Sequence, residues 1–371
     1  MKQKIDETYN IIGLMSGTSM DGIDATVLKT NGKEFIRTSI YSTKKYQEKT
    51  KSLLYEAQVD PLEFLKKKKS TLLDKYVTLD HFSAITDLLQ KGRFINKIDF
   101  IGFHGQTIYH SFEKKISLQV GNPQLLSNLT NIKVVSSFRE NDLKNGGHGA
   151  PLSPVYHMAM AKEMKLKLPV VFFNIGGVAN VTYCDKKELI GFDTGPGNGL
   201  IDKLMQLKFK KNYDYNGELA SKGKVNKKIF NKLKHDSYFK KKFPKSLDKL
   251  YFVNYLNEML QADISTVDIL ATLTEITAYT IYMSLRILPR KAKTIIILGG
   301  GQYNVYLMKR ITNFLDQDIF LSQDLNLPSN YIEAELFAYL AARTLNNFPI
   351  TFPLTTGVES PLIGGKIFSP S

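Results

Sequence analysis

The chain is expected to be an α/β protein built from two related halves, each with a mixed sheet, around a central cleft. Three observations predict this. Apolar runs of β-forming residues open both halves, and each is broken by a turn and followed by a second run, as in a strand hairpin. Longer stretches with apolar residues at helical intervals follow. Glycine-rich turns stand at the ends of β-type runs along the whole chain. At 371 residues the chain suffices for two domains, each with its own core.

Taken in order, Ile11–Ser16 reads as a strand and Asp24–Leu28 as its hairpin partner. From about Gln47 to Lys91, residues such as Leu53, Leu54, Ala57, Leu72, Leu73 and Tyr76 recur at helical spacing. Asp99–Phe103 is a buried-type strand ending in His104-Gly105-Gln106-Thr107. Asn122 caps a helix with Pro123 at its first position, and Lys133–Ser136 is another strand. The pattern then restarts with Pro169–Asn174, a glycine turn and Val178–Tyr183. A helix is expected near Gly197, lysine-rich helical sequence over about 216–262, and a long helix capped by Ser265. Thr294–Leu298 is a strand, a helix follows from about Val305, and a last helix covers about Tyr331 to Asn346. The expected domains are 1–140, joined by the tail at about 355–371, and 141–354.

Composition narrows the function. Hydrophobic content of 43% with 23% charge is ordinary for a globular protein. No run of about 18 apolar residues is present, so no membrane span is expected. The N-terminus is polar and lacks the apolar stretch of a secretory signal. Cys184 is the single cysteine, which excludes an intrachain disulfide or cysteine-based zinc site and fits a reducing cytoplasm. The net charge of +15 does not imply nucleic acid, because only seven of the 50 basic residues are arginine, and the lysine runs read as solvated faces. His104 and His110 lack metal-ligand spacing, so no zinc is expected.

The glycine turns carry the chemistry. In Gly17-Thr18-Ser19-Met20-Asp21-Gly22-Ile23-Asp24, two glycines let backbone N–H groups approach a phosphate, and Thr18 and Ser19 add hydroxyls. Asp21 and Asp24 suit Mg²⁺ held through water. A plain Asp-Gly hairpin is the competing explanation for this segment alone. Gly176-Gly177 and Gly299-Gly300-Gly301, with Asn304 where a helix begins, extend the set. Together the turns suggest one nucleotide, ATP, held by loops from both halves. Asp193, at the end of an apolar strand-type run and beside Thr194-Gly195-Pro196-Gly197-Asn198, is the candidate general base, although an Asx turn or helix cap would also use an aspartate there. Glu333 is a candidate second carboxylate, or an acid placed for the helix dipole. His104, Gln106, Thr107, Arg139 and Asn180 are candidate contacts to a sugar, although a lone histidine in such a place is more often structural.

These residues together resemble the anhydro-N-acetylmuramic acid kinase family. The matching segments are Gly13–Asp24, His104–Thr107, Gln119–Pro123, Gly146–Leu152, Asn174–Gly177, Phe192–Asn198 and Gly299–Gly301, in the same order over almost the whole chain. The resemblance implies a duplicated actin-like ATPase (ribonuclease H-like) fold. It also implies a reaction in which ATP and water convert 1,6-anhydro-N-acetylmuramic acid to N-acetylmuramic acid 6-phosphate and ADP, in cell-wall sugar recycling. Asp193 matches the family's catalytic aspartate, Glu333 its second active-site acid, and Gly17–Asp24 its ATP phosphate loop. A homodimer is implied as well. The sequence departs from the family in two places. A run of arginines is reduced to Arg139, followed by Glu140 and Asn141, and a lysine-serine-threonine-glycine-arginine stretch becomes Lys245-Ser246-Leu247-Asp248-Lys249. The alternatives are a kinase for another 1,6-anhydrosugar, such as 1,6-anhydroglucose, and a non-enzymatic actin-like ATP-binding regulatory module.

Overall fold

Strands β1 (Tyr9–Ser16), β2 (Ile23–Thr30), β3 (Phe35–Lys44), β4 (Phe100–Ser111), β5 (Ile116–Val120) and β6 (Lys133–Ser136) come first. They are followed by β7 (Val170–Ile175), β8 (Val178–Cys184), β9 (Leu189–Pro196), β10 (Thr294–Leu298), β11 (Ile319–Leu321) and β12 (Lys366–Phe368). The structure is a computed structural model that describes residues 7–17, 20, 22–92, 97–111, 113–247 and 251–371. It forms two compact units, Met1–Glu163 with Asn330–Ser371, and Met164–Ser329.

The two units repeat one topology. In the first, the strand order is β12-β6-β4-β1-β2-β3, with β5 paired to β4. In the second, the order is β11-β10-β7-β8-β9. In both, an antiparallel three-strand meander (β1-β2-β3, β7-β8-β9) is joined on its first strand by two parallel strands (β4 and β6, β10 and β11). Parallel neighbours need long crossovers, which helices supply here. This is the duplicated α/β architecture expected from the sequence, and the repetition is clearer in topology than in residues.

In the first unit, side chains alternate across β1. Ile12 and Leu14 join a core with Leu73, Val77, Ala84 and Leu88 of the helix Lys69–Gly92. Each fully buried aliphatic side chain there contributes roughly 1.5–3 kcal/mol. The opposite face carries Gly13 and Gly102, which are register partners on β1 and β4. A Cβ at Gly13 would overlap the Ala334 carbonyl, and one at Gly102 the Phe337 carbonyl. The two glycines therefore cut a groove that lets the helix Ile332–Leu345 lie directly on the sheet. Its Glu335 is buried, accepts from Arg37 Nε at 2.9 Å and receives the Tyr156 hydroxyl at 2.6 Å.

In the second unit the helix Thr266–Arg286, capped by Ser265, packs with Gly199–Phe209 around Leu204, Leu270, Leu273 and Ile276. The expected lysine-rich helix over 216–262 is instead two α-helices, Lys227–Lys234 and Val253–Gln261, with short 3-10 turns. Gly217, at φ 71°, and Pro244 interrupt helical geometry.

The expected domain boundary is corrected. Residues 141–163 and 330–354 belong to the first unit, because the helices Pro154–Glu163 and Ile332–Leu345 pack there, the latter on β1, β2 and β4. Strands β3, β5, β11 and β12 were not expected. Among the described residues no helix is long and apolar enough to cross a membrane.

Candidate functional site

In the first unit, the parallel pairing of β1 and β4 sets Ser16 opposite Gln106, so the Gly17 turn leaves the sheet beside the His104–Thr107 segment, which lies within β4 rather than at its end. Gln106 is fully buried; its Nε2 donates to the Gly17 carbonyl and to the Thr107 carbonyl, both at 3.1 Å. Its Oε1 accepts from the Tyr46 hydroxyl at 3.2 Å. With its amide engaged this way, Gln106 pins the Gly17 turn. Thr107 is half-buried and accepts from Gln119.

His104 is likewise held by its neighbours. Arg139 can only donate, and its Nε donates to His104 Nε2 at 3.1 Å. The ring proton therefore sits on Nδ1 and is donated to the Gly105 carbonyl at 3.0 Å. Burial, reinforced by Arg139, holds the ring neutral, with a pKa well below the ordinary 6.5. The ring stacks on Phe337 at 4.4 Å. His104 thus orients Arg139, whose Nη1 donates to the Gly149 carbonyl at 2.6 Å. Burial lowers the Arg139 pKa to about 10, and the nearby carboxylates Glu333 and Asp142 act against that. Glu333 is exposed at the start of its helix and close enough to Arg139 to be felt electrostatically. His104 and Arg139 also line a polar pocket of about 250 Å³ with Ser117, Gln119 and Ser137.

Of the candidate phosphate loop, Thr18, Ser19 and Asp21 lie outside the described residues. Met20 is buried at φ 57°, and Ile23 is fully buried, so both side chains face the core. Gly22 is required by packing, since a Cβ would come within 2.8 Å of the Lys44 carbonyl. Asp24 accepts from the Thr43 hydroxyl at 2.6 Å; burial raises its pKa, and that hydrogen bond restrains the rise.

In the second unit, β7 and β10 run parallel with Leu298 opposite Asn174, so Gly176-Gly177 and Gly299-Gly300-Gly301 leave the sheet at one end. The glycines divide by what surrounds them. Gly299 (φ 81°) and Gly301 pack against Asn174 and Ile175, where a side chain would clash. A methyl on Gly300 would have no neighbour within 4 Å, and one on Gly176 or Gly177 would meet only distant backbone. Open space beside a glycine suits close approach of a ligand. Gly300 lines a cavity of about 510 Å³ with Asn198, Asp202, Asn304 and the exposed rings of Tyr213, Tyr215 and Tyr303. Asn198 Oδ1 is buried there with no partner among the described residues. Asn304 Oδ1 caps the helix Val305–Phe314 by accepting from Leu307 N–H at 2.9 Å, so it offers a ligand its Nδ2 donor.

Asp193 lies within β9 rather than at its end, opposite Asn180 on β8 at a bulge, which brings these two candidates to one face. Its carboxyl is deep enough that burial pushes its pKa up to about 7, with the Leu247 N–H, at 2.8 Å from Oδ2, pulling the other way. Sequence reasoning missed Tyr238, whose hydroxyl donates to the Asp193 carbonyl, and the partners of Asp193 in Lys245–Leu247, because these contacts are long-range. Among the described residues no cluster of three or more His, Cys, Asp or Glu forms a metal cage.

A family model described as anhydro-N-acetylmuramic acid kinase matches residues 9–370. The chain is 39% identical over 365 residues to the anhydro-N-acetylmuramic acid kinase of Zymomonas mobilis subsp. mobilis, covering 96% of this chain and 98% of that one. It is 36% identical over 366 residues to that of Rhodopseudomonas palustris, with 97% and 99% covered. It is 35% identical over 372 residues to that of Agrobacterium fabrum, again with 97% and 99% covered.

Proposed function

Because the chain belongs to the anhydro-N-acetylmuramic acid kinase family and is therefore a kinase, we propose that it opens the 1,6-anhydro bridge of 1,6-anhydro-N-acetylmuramic acid with water and phosphorylates O6 from ATP. The products are N-acetylmuramic acid 6-phosphate and ADP. Asp193 takes a proton from the attacking water, whose oxygen bonds to the anomeric carbon. The electrons of the broken C1–O6 bond pass to O6. O6 in turn attacks the γ-phosphorus, and the bridging oxygen leaves with ADP.

The observation that carries this reading is the state of Asp193. It is a half-buried carboxyl, held on a strand, with a pKa of about 7 caused by burial. A base is most effective when its pKa lies near the working pH. Glu333, beside Arg139, is the second active-site acid in this reading. In the second unit, the open space at Gly176, Gly177 and Gly300 supports close approach of ATP. The tyrosine-lined cavity, with the unpartnered Asn198 oxygen, suits its nucleoside, since such sites are apolar with a few placed polar groups. Gly17 to Asp24 are assigned to the phosphates in the first unit.

Mg²⁺ fits a donor set of this kind. It keeps several waters and takes one or two carboxylates plus phosphate oxygens rather than a protein cage. Asp24 is the described carboxylate of the loop, and the bound ion would offset charge on the transferred phosphoryl group. The homodimer implied by the family belongs to this proposal and is read by sedimentation equilibrium.

The test is ADP release with ATP and either 1,6-anhydro-N-acetylmuramic acid or 1,6-anhydroglucose. The muramic sugar should drive turnover, and its product should gain the mass of one water and one phosphoryl group. Turnover with 1,6-anhydroglucose alone would overturn the substrate assignment.

A further inference from the structure

β9 is an edge strand of the second sheet, so among the described residues one side of it has no strand partner. At Asp193 that edge is closed from outside the sheet. The Asp193 N–H donates to the Lys245 carbonyl at 3.0 Å, and its carbonyl accepts from the Tyr238 hydroxyl at 2.5 Å. The chain then turns so that the Leu247 N–H donates to carboxylate Oδ2 at 2.8 Å.

This segment is itself anchored. Phe243 stacks on Phe192, the residue before Asp193, at 5.7 Å with an interplanar angle of 9°. The Lys245 ammonium sits 4.6 Å from the centre of the Tyr238 ring and 5.4 Å from that of Phe192. Lys245 also donates to the Tyr238 carbonyl at 3.3 Å. Tyr238 and Lys245 are both buried.

We infer that Tyr238 and the segment Phe243–Leu247 form a positioning clamp for Asp193, which holds Oδ2 with a backbone donor and leaves Oδ1 as the oxygen that receives the proton. This inference rests on Asp193 being the base. Edge closure alone would need only the two contacts to the Asp193 backbone. The third contact, to the carboxylate, is the one that acts on its chemistry.

The pH profile of kcat/KM for the anhydrosugar tests the clamp in the full-length enzyme. Leu247→Pro removes the N–H, and losing a donor to the charged form raises a carboxyl pKa. The ascending limb should move up by about one pH unit, the order expected for one charge-assisted hydrogen bond. Leu247→Thr keeps the donor and should keep the native limb position. Tyr238→Phe, which retains the buried ring, should lower kcat about tenfold with KM for ATP unmoved, the order expected from loosened positioning of a reacting group. An unmoved limb in folded Leu247→Pro, or native kcat in Tyr238→Phe should the proline variant not fold, overturns the clamp. Native turnover in Asp193→Asn would instead overturn the base assignment itself.

Discussion

Asp193 links stability to pH in a direction opposite to that of most carboxylates. Burial raises its pKa from 3.8 to about 7 in the folded protein. Between those values the folded state holds more protons at this site than the unfolded state. The stabilising contribution is therefore fully present below about pH 4 and is lost as the pH rises through 7. Asp193→Asn has no such titration. Its Tm should exceed that of the native protein by a margin that widens from pH 5 to 8 and then stays level, as thermal unfolding across that range will read. A margin independent of pH would contradict the raised pKa. The candidacy of Asp193 was legible in the sequence from a strand-forming run leading into a glycine turn. Its hydrogen-bond partners were not, because Tyr238 and Leu247 are 45 and 54 residues away.

At the scale of elements, the same residue type does two jobs in the turn after β10. Gly300→Ala adds a methyl into open space at an ordinary φ, so stability should hold. The methyl enters the tyrosine-lined cavity, and KM for ATP should rise about tenfold, the effect of one lost close contact. Gly299→Ala meets Asn174 and the Ile175 carbonyl at a positive φ and should lose about 1–3 kcal/mol of stability. Denaturant titration together with ATP kinetics separates the two. Equal loss of stability in both variants would remove the case for a ligand at Gly300. The sequence showed three glycines at a strand end but not which one faces outward, since that depends on the Asn174-Ile175 segment packed beneath. Caps were easier to read. Asn122, Ser265 and Asn304 each accept from an N–H three residues on, a local pattern. Strand β3 escaped notice because its half-exposed, threonine- and serine-rich sequence lacks an apolar run.

For the whole molecule, the sequence revealed two halves but misjudged their boundary. The helices Pro154–Glu163 and Ile332–Leu345 are buried over most of their surface, so no single apolar stripe reveals which sheet they cover. What assigns the second of them to the first unit is the groove at Gly13 and Gly102, a long-range match of backbone to backbone. Each unit then presents its candidate residues on its sheet or in the turns that leave it: Gln106 within β4 and Gly17 just after β1 in the first, Asp193 with Asn180 on β9 and β8 and the glycine turns in the second. The central claim is that Asp193 activates water in a sugar-dependent phosphoryl transfer. It is tested most directly by measuring ADP release driven by 1,6-anhydro-N-acetylmuramic acid in the native enzyme and in Asp193→Asn, with ATP affinity measured alongside. The account predicts a fall in kcat of roughly 10²–10⁴-fold with ATP binding retained, and undiminished sugar-dependent turnover in the variant would contradict it.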